Sequence, residues 1–133
     1  MFRKLLILLL LIFTSSCSSK DHNTWILSTS PQDGETDVHE QSPIIINFKY
    51  DMDPASLNSK NISIHTGKHF EQNISNIFSY HYDKNNKRLT IQFSDPKGLW
   101  GSGDGITVVL SGEIQTADHQ KMGKDYRFGF RTR

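Results

Sequence analysis

Asp51 and Asp53 flank Met52, and two carboxylates at that spacing in a loop are candidate Ca²⁺ ligands. The competing assignment is a turn in which Asp53 caps Pro54 to Leu57; it is favoured because the other oxygen ligands of an EF-type loop are absent. Asp33, Glu35 and Asp37 form a second acidic cluster, expected to be a solvated turn because a lone domain has no domain boundary at which to share a cation. Six histidines (His22, His39, His65, His69, His81 and His119) raise a metal hypothesis. No pair has the helix-face spacing of a zinc enzyme, and His65 and His69 straddle Gly67 in the pattern of a hairpin turn. Ser102 sits between Gly101 and Gly103, but no Gly-x-Ser-x-Gly elbow surrounds it, and neither Lys nor a helix follows to make a phosphate loop. That glycine run is expected to be a hairpin turn. Trp100, directly before it, is either an exposed aromatic platform for a sugar or protein partner, or a plug that closes the end of a core together with Leu99. Nothing here assembles a catalytic set, a metal site or a cofactor site.

Cys17 is the sole cysteine. Arg3 and Lys4 precede an apolar run from Leu5 to Phe13, and Thr14, Ser15 and Ser16 lead to Cys17. This is the three-part build of a secretory signal. Nine helical residues cover roughly 13–14 Å, under half of a ~30 Å hydrocarbon core, so the run is too short for a permanent span. Small residues directly before a cysteine that ends the run resemble the lipobox of bacterial lipoproteins, although Thr14 stands where Leu is usual. The resemblance implies that Cys17 is acylated and becomes the first mature residue; the alternative is a plain signal peptide with an incidental cysteine. One cysteine has no internal disulfide partner, and acylation removes a thiol that an oxidising compartment would attack. Residues 18–24 read as a polar tether. Ser18, in place of Asp, resembles the outer-membrane type if the cell is Gram-negative.

The elements that position these residues read as short strands. The chain has 133 residues, 35% hydrophobic, with a net charge of +1. That allows one domain and argues against nucleic acid as a partner. Period-two alternation recurs after Thr24. Trp25 to Ser28 is a first strand, with Trp25 expected in the core. Ile44, Ile46, Phe48 and Tyr50 share one face of a second, and Ile62 and Ile64 mark a third. Ile74, Asn76, Phe78, Tyr80 and Tyr82 share a face of a fourth, joined through an Asn85-Asn86 turn to Leu89, Ile91 and Phe93. Ile106, Val108 and Leu110 form the sixth, and Tyr126, Phe128 and Phe130 the last. Only Asp53 to Leu57 reads as helical, for about one turn. About seven strands with polar connections predict an all-β, two-sheet antiparallel sandwich.

Three segments carry a family resemblance. The first runs from Pro31-Gln32-Asp33-Gly34 to Val38, the second from Ser42-Pro43-Ile44 through Phe48 to Asp51-Met52-Asp53 and Ser56, and the third is Phe128-Gly129-Phe130-Arg131-Thr132. In this order they resemble the bacterial Ig-like domains of the SbsA type. Asp118 to Gly123 departs from the Asp-x-x-Gly-Asn often found before the last strand of that family. The resemblance implies an Ig-like antiparallel β-sandwich over residues 25–133, after a signal over 1–16 and the lipidated cysteine and tether over 17–24. Such modules space or present other domains and are not enzymes as a rule. The expected protein is therefore a non-enzymatic, envelope-anchored lipoprotein with an interaction or structural role. Its partners are the membrane through Cys17 and a surface protein or glycan. The alternative is a carbohydrate-binding module centred on Trp100. A small hydrolase is the least supported reading.

Overall fold

The computed structural model describes residues 25–67 and 72–133. Eight strands are found there: β1 (Ile26–Ser30), β2 (Ile44–Phe48), β3 (Ile62–Thr66), β4 (Gln72–Asn73), β5 (Phe78–Asp83), β6 (Arg88–Phe93), β7 (Gly105–Leu110) and β8 (Tyr126–Arg131). They form two four-stranded sheets, ordered β1-β2-β6-β5 and β4-β3-β7-β8, with antiparallel strand pairs throughout. This is the expected sandwich, with the two-residue β4 added to the seven strands read from sequence.

Alternation puts one row of each strand into the space between the sheets. Ile44, Ile46, Leu89 and Ile91 from the first sheet are fully buried, as are Ile62, Ile64, Val108 and Leu110 from the second. Polar partners satisfy the outer face of the first sheet. Asn47 donates its amide to Ser28 at 2.9 Å, and Arg88 Nε donates to Asn47 Oδ1 at 2.9 Å.

Two strand boundaries differ from the sequence reading. Tyr50 lies beyond β2 and is exposed, because pairing ends where Lys49 N–H donates to the Trp25 carbonyl. Ile74 and Asn76 are not in a strand: residues Ser75–Ile77 form a 3-10 turn before β5 begins at Phe78. Asn73 is responsible, since its Oδ1 accepts from Ser75 N–H at 3.1 Å and offers the backbone a turn in place of a ladder. The Asp53 turn is as expected, a 3-10 helix over Pro54–Ser56 with Asp53 as its cap.

The segments that carried the family resemblance hold one another. Asp33 Oδ1 accepts from Gly129 N–H at 3.0 Å, and Gly34 N–H donates to Gly129 O at 2.7 Å. Val38, from the same opening segment, is buried beside Thr132 in a parallel bridge. Gly129 is required at this crossing because a Cβ there would lie 2.8 Å from the Ile106 carbonyl oxygen. Gly129→Ala is expected to cost about 1–3 kcal/mol as an overpacking change. Gly105→Ala, where an added Cβ meets nothing within 4 Å, is expected to stay within about 0.5 kcal/mol. Urea denaturation of both variants checks the pair; equal losses would contradict it.

Tyr80 donates its hydroxyl to the Ser75 carbonyl at 2.6 Å, and burial pushes its pKa up to about 12. The folded chain therefore holds a proton that the unfolded chain releases near pH 10. Stability from this group is complete below about pH 10 and is lost as pH rises towards 12. Tyr80→Phe is expected to make stability less sensitive to pH over that interval, as read by melting temperature at each pH. An unchanged alkaline slope would contradict the assignment.

Candidate functional site

Trp100 lies in the connection from β6 to β7 and is 4% exposed. Its ring packs on Phe78 at 5.2 Å, Phe93 at 4.9 Å and Phe130 at 5.6 Å. Its indole N–H donates to the Ser42 carbonyl at 3.0 Å, and its backbone N–H to the Glu40 carbonyl at 2.8 Å. Both sheets contribute to this aromatic cluster, so Trp100 closes the end of the core. Of the two roles read for Trp100, the plug is found and the ligand-contacting platform is corrected: the indole is 4% exposed and has no open face for a sugar ring. Leu99 takes no part in the plug and is 57% exposed.

The partly exposed aromatic in this region is a neighbour of Trp100. Phe93, at the end of β6, is half-buried and lines a hollow of about 450 Å³ with Gln41, Ser79, Gln92, Ser94 and Asp95. Gly98 lets the chain fold closely over that ring, since a Cβ there would sit 2.5 Å from Phe93 Cβ. Amides, hydroxyls and one carboxylate beside a single ring can hydrogen-bond a neutral polar ligand. The sequence signal for this site was Phe93 itself, which alternation placed only as a strand residue with Leu89 and Ile91.

The glycine run beside Trp100 is structural. It does not turn a hairpin, as expected from sequence, but belongs to the crossing from the first sheet to the second. Ser102 donates its hydroxyl to the Arg133 carbonyl at 3.3 Å, and Gly103 N–H donates to the same carbonyl at 2.8 Å. Thr132, buried, accepts from Asp104 N–H at 2.8 Å and donates to Gly101 O.

The acidic candidates also have local work. Asp53 Oδ1 accepts from Ala55 N–H at 3.0 Å, the cap geometry, while its Oδ2 is 3.8 Å from His119 Nδ1. Asp51 Oδ1 accepts the Tyr82 hydroxyl at 2.9 Å, and that hydroxyl accepts from Met52 N–H at 2.9 Å. Burial raises the Tyr82 pKa, so this clamp keeps its proton. Glu35 accepts from Gln32 N–H within the opening turn, and Asp37 lies 3.9 Å from Arg133.

His39 Nδ1 accepts from Gln41 N–H at 3.1 Å. His65 pairs in register with Asn73 and Thr107, and His81 with Thr90. His119 has a φ of +66° and, with Gly123 at +80°, turns the stretch where this chain departs from the Asp-x-x-Gly-Asn pattern. No three His, Cys, Asp or Glu groups among the described residues are placed to hold a metal ion. Cys17, His22 and His69 lie outside the described residues.

Two antiparallel sheets, sealed by an aromatic plug and tied from opening turn to closing strand, define a bacterial immunoglobulin-like sandwich. Residues 21–132 match the family described as Bacterial Ig-like domain, and the chain belongs to it. No curated protein matches the sequence significantly. Among solved structures, domains 1–6 of the surface layer protein SbsC are 18% identical with a TM-score of 0.56, over 80% of this chain and 13% of that one. Alpha-2-macroglobulin of E. coli is 17% identical with a TM-score of 0.57, over 81% of this chain and 6% of that one. CopC from Methylosinus trichosporium OB3b is 11% identical with a TM-score of 0.55, over 81% of this chain and 91% of that one. At these identities the likeness establishes the fold. The chain spans a small fraction of the S-layer and macroglobulin relatives' own lengths.

Proposed function

We propose that this protein is a non-enzymatic lipoprotein of the cell envelope that holds one Ig-like module at the surface for an interaction or structural role. The observation that carries the proposal is the order of segments along the chain. An apolar run ends in small residues and the sole cysteine, a short polar stretch follows, and the family match then occupies residues 21–132. Acyl chains on Cys17, each burying CH₂ groups at about 0.8 kcal/mol apiece, would hold such a module stably on a membrane. In a Gram-negative cell that membrane is the outer one, since Ser18 follows the cysteine. Membership of a family of non-catalytic modules supports the non-enzymatic reading.

The partner-binding surface we assign is the hollow around Phe93. A carbohydrate role rests there rather than on Trp100, because the amides, hydroxyls and carboxylate that line the hollow are suited to a saccharide's hydroxyls. A glycan array separates the two partner classes: binding that Phe93→Ala abolishes supports the carbohydrate reading, and no binding favours a protein partner.

Cys17→Ser is expected to abolish metabolic labelling by palmitate and to release the protein from the membrane fraction. A wild-type protein without label, or a variant that stays membrane-bound and labelled, would overturn the anchor.

A further inference from the structure

The two ends of the sandwich differ in charge. One end gathers Trp25, the ends of β2, β5 and β7, and the starts of β3, β6 and β8. Ring contacts of Trp25 with Phe48 at 6.0 Å and with Tyr126 at 6.4 Å mark it. The other end carries the Trp100 plug and the Phe93 hollow. Among the described residues, six of the seven lysines are at the Trp25 end: Lys49, Lys60, Lys84, Lys87, Lys121 and Lys124. All six are exposed. Lys121 pairs with Glu113 at 2.7 Å, and no described carboxylate pairs with the other five within 4 Å.

With Arg88 and Arg127 this end carries eight cations against six carboxylates, Asp51, Asp53, Asp83, Glu113, Asp118 and Asp125, and several of those carboxylates are also held by local hydrogen bonds. Asp51 takes the Tyr82 hydroxyl, Asp53 caps its turn, Asp83 takes the Asn86 amide and Asp125 takes Gly112 N–H. Among the described residues the balance reverses at the far end, where Asp33, Glu35, Asp37, Glu40, Asp95 and Asp104 outnumber Lys97, Arg131 and Arg133. The domain is thus an electrostatic dipole along its strands, cationic where the chain enters and anionic at the hollow.

The cationic end also carries apolar surface. Leu27 is the extra residue of a bulge between Ile26 and Ser28 and is 67% exposed. Tyr50, just past the end of β2, is also exposed, with Lys49 Nζ 5.9 Å from its ring. Exposed lysines at the same end as an exposed tyrosine and leucine suit the headgroup layer of an anionic bilayer. The reach between Cys17 and Trp25 is eight residues, at most roughly 26–29 Å when extended.

We propose that the Trp25 end lies against an anionic lipid surface, so that the hollow around Phe93 faces away from the membrane. This rests on the Cys17 anchor. The tether only keeps the domain near the bilayer; the charge asymmetry chooses which end meets it. The attraction falls off within a Debye length of about 8 Å at physiological salt, so the orientation is salt-sensitive.

The test uses the lipidated full-length product floated with vesicles. Acylation blocks Cys17, so an introduced cysteine is the single free thiol. Asn85→Cys places a fluorophore at the Trp25 end without removing a lysine, and Ser102→Cys places one at the far end. The vesicles contain phosphatidylglycerol with a headgroup quencher, or phosphatidylcholine with the same quencher. Quenching at position 85 is expected to exceed that at position 102 several-fold on phosphatidylglycerol. The contrast is expected to shrink on phosphatidylcholine, in high salt, or in a Lys49→Glu, Lys84→Glu background that still floats. Equal quenching at both positions, or a contrast indifferent to lipid charge and salt, overturns the orientation alone. Protein that carries no acyl chain and does not float overturns the anchor and the orientation together.

Discussion

Truncating Trp100 to alanine is expected to cost about 3–5 kcal/mol of stability, the scale for emptying a buried aromatic site. The indole touches three rings drawn from both sheets, so its removal opens a cavity that no single strand can collapse to fill. The Ser42 carbonyl also loses the indole N–H. Trp100→Phe keeps much of the volume and loses the hydrogen bond, and is expected to cost less than the alanine change. Urea denaturation with an unchanged slope reads both values. A loss within about 0.5 kcal/mol for Trp100→Ala would contradict the plug and return this residue to the surface.

The second large effect lies at the opposite end. Phe48 is 1% exposed, stacks on Trp25 and meets Tyr82 edge-on at 6.3 Å. Phe48→Ala is expected to cost about 3–5 kcal/mol. Its neighbour Lys49 is exposed, and Lys49→Ala is expected to stay within about 0.5 kcal/mol. The adjacent pair tests the inward and outward positions at the end of β2 in one experiment. Similar losses at both sites would mean that the faces are misassigned.

Those faces were legible in the sequence because alternation over Ile44 to Phe48 is a local signal and a buried face enforces it. The limits of a strand are less local. Tyr50 continues the alternation on paper, but β2 stops where its partner does, at the Trp25 carbonyl. Ile74 and Asn76 alternate equally well, yet Asn73 captures the backbone there; the signal was present as an Asn at the head of the segment.

The fate of Trp100 was not legible for a different reason. Glycines beside an indole suggest exposure, whereas its cover comes from Phe78, Phe93 and Phe130, residues brought together only by sheet stacking. The same holds for the glycine run, since a hairpin and a sheet crossing share turn chemistry and differ in where the next strand pairs. The family segments were legible as a set. Their physical cause, the clasp of Asp33 and Gly34 on Gly129, spans nearly the whole domain and emerges only in the fold. The hollow around Phe93 combines residues from β5, β6 and two connections, a grouping no spacing in the sequence announces.

The central claim is that the Ig-like module is carried on an acylated Cys17. Intact mass spectrometry of the protein purified from cell membranes tests it most directly. The account predicts a chain that begins at Cys17 and bears a lipid adduct removed with the first residue. A chain that begins elsewhere, or begins at Cys17 with a free thiol, would contradict it.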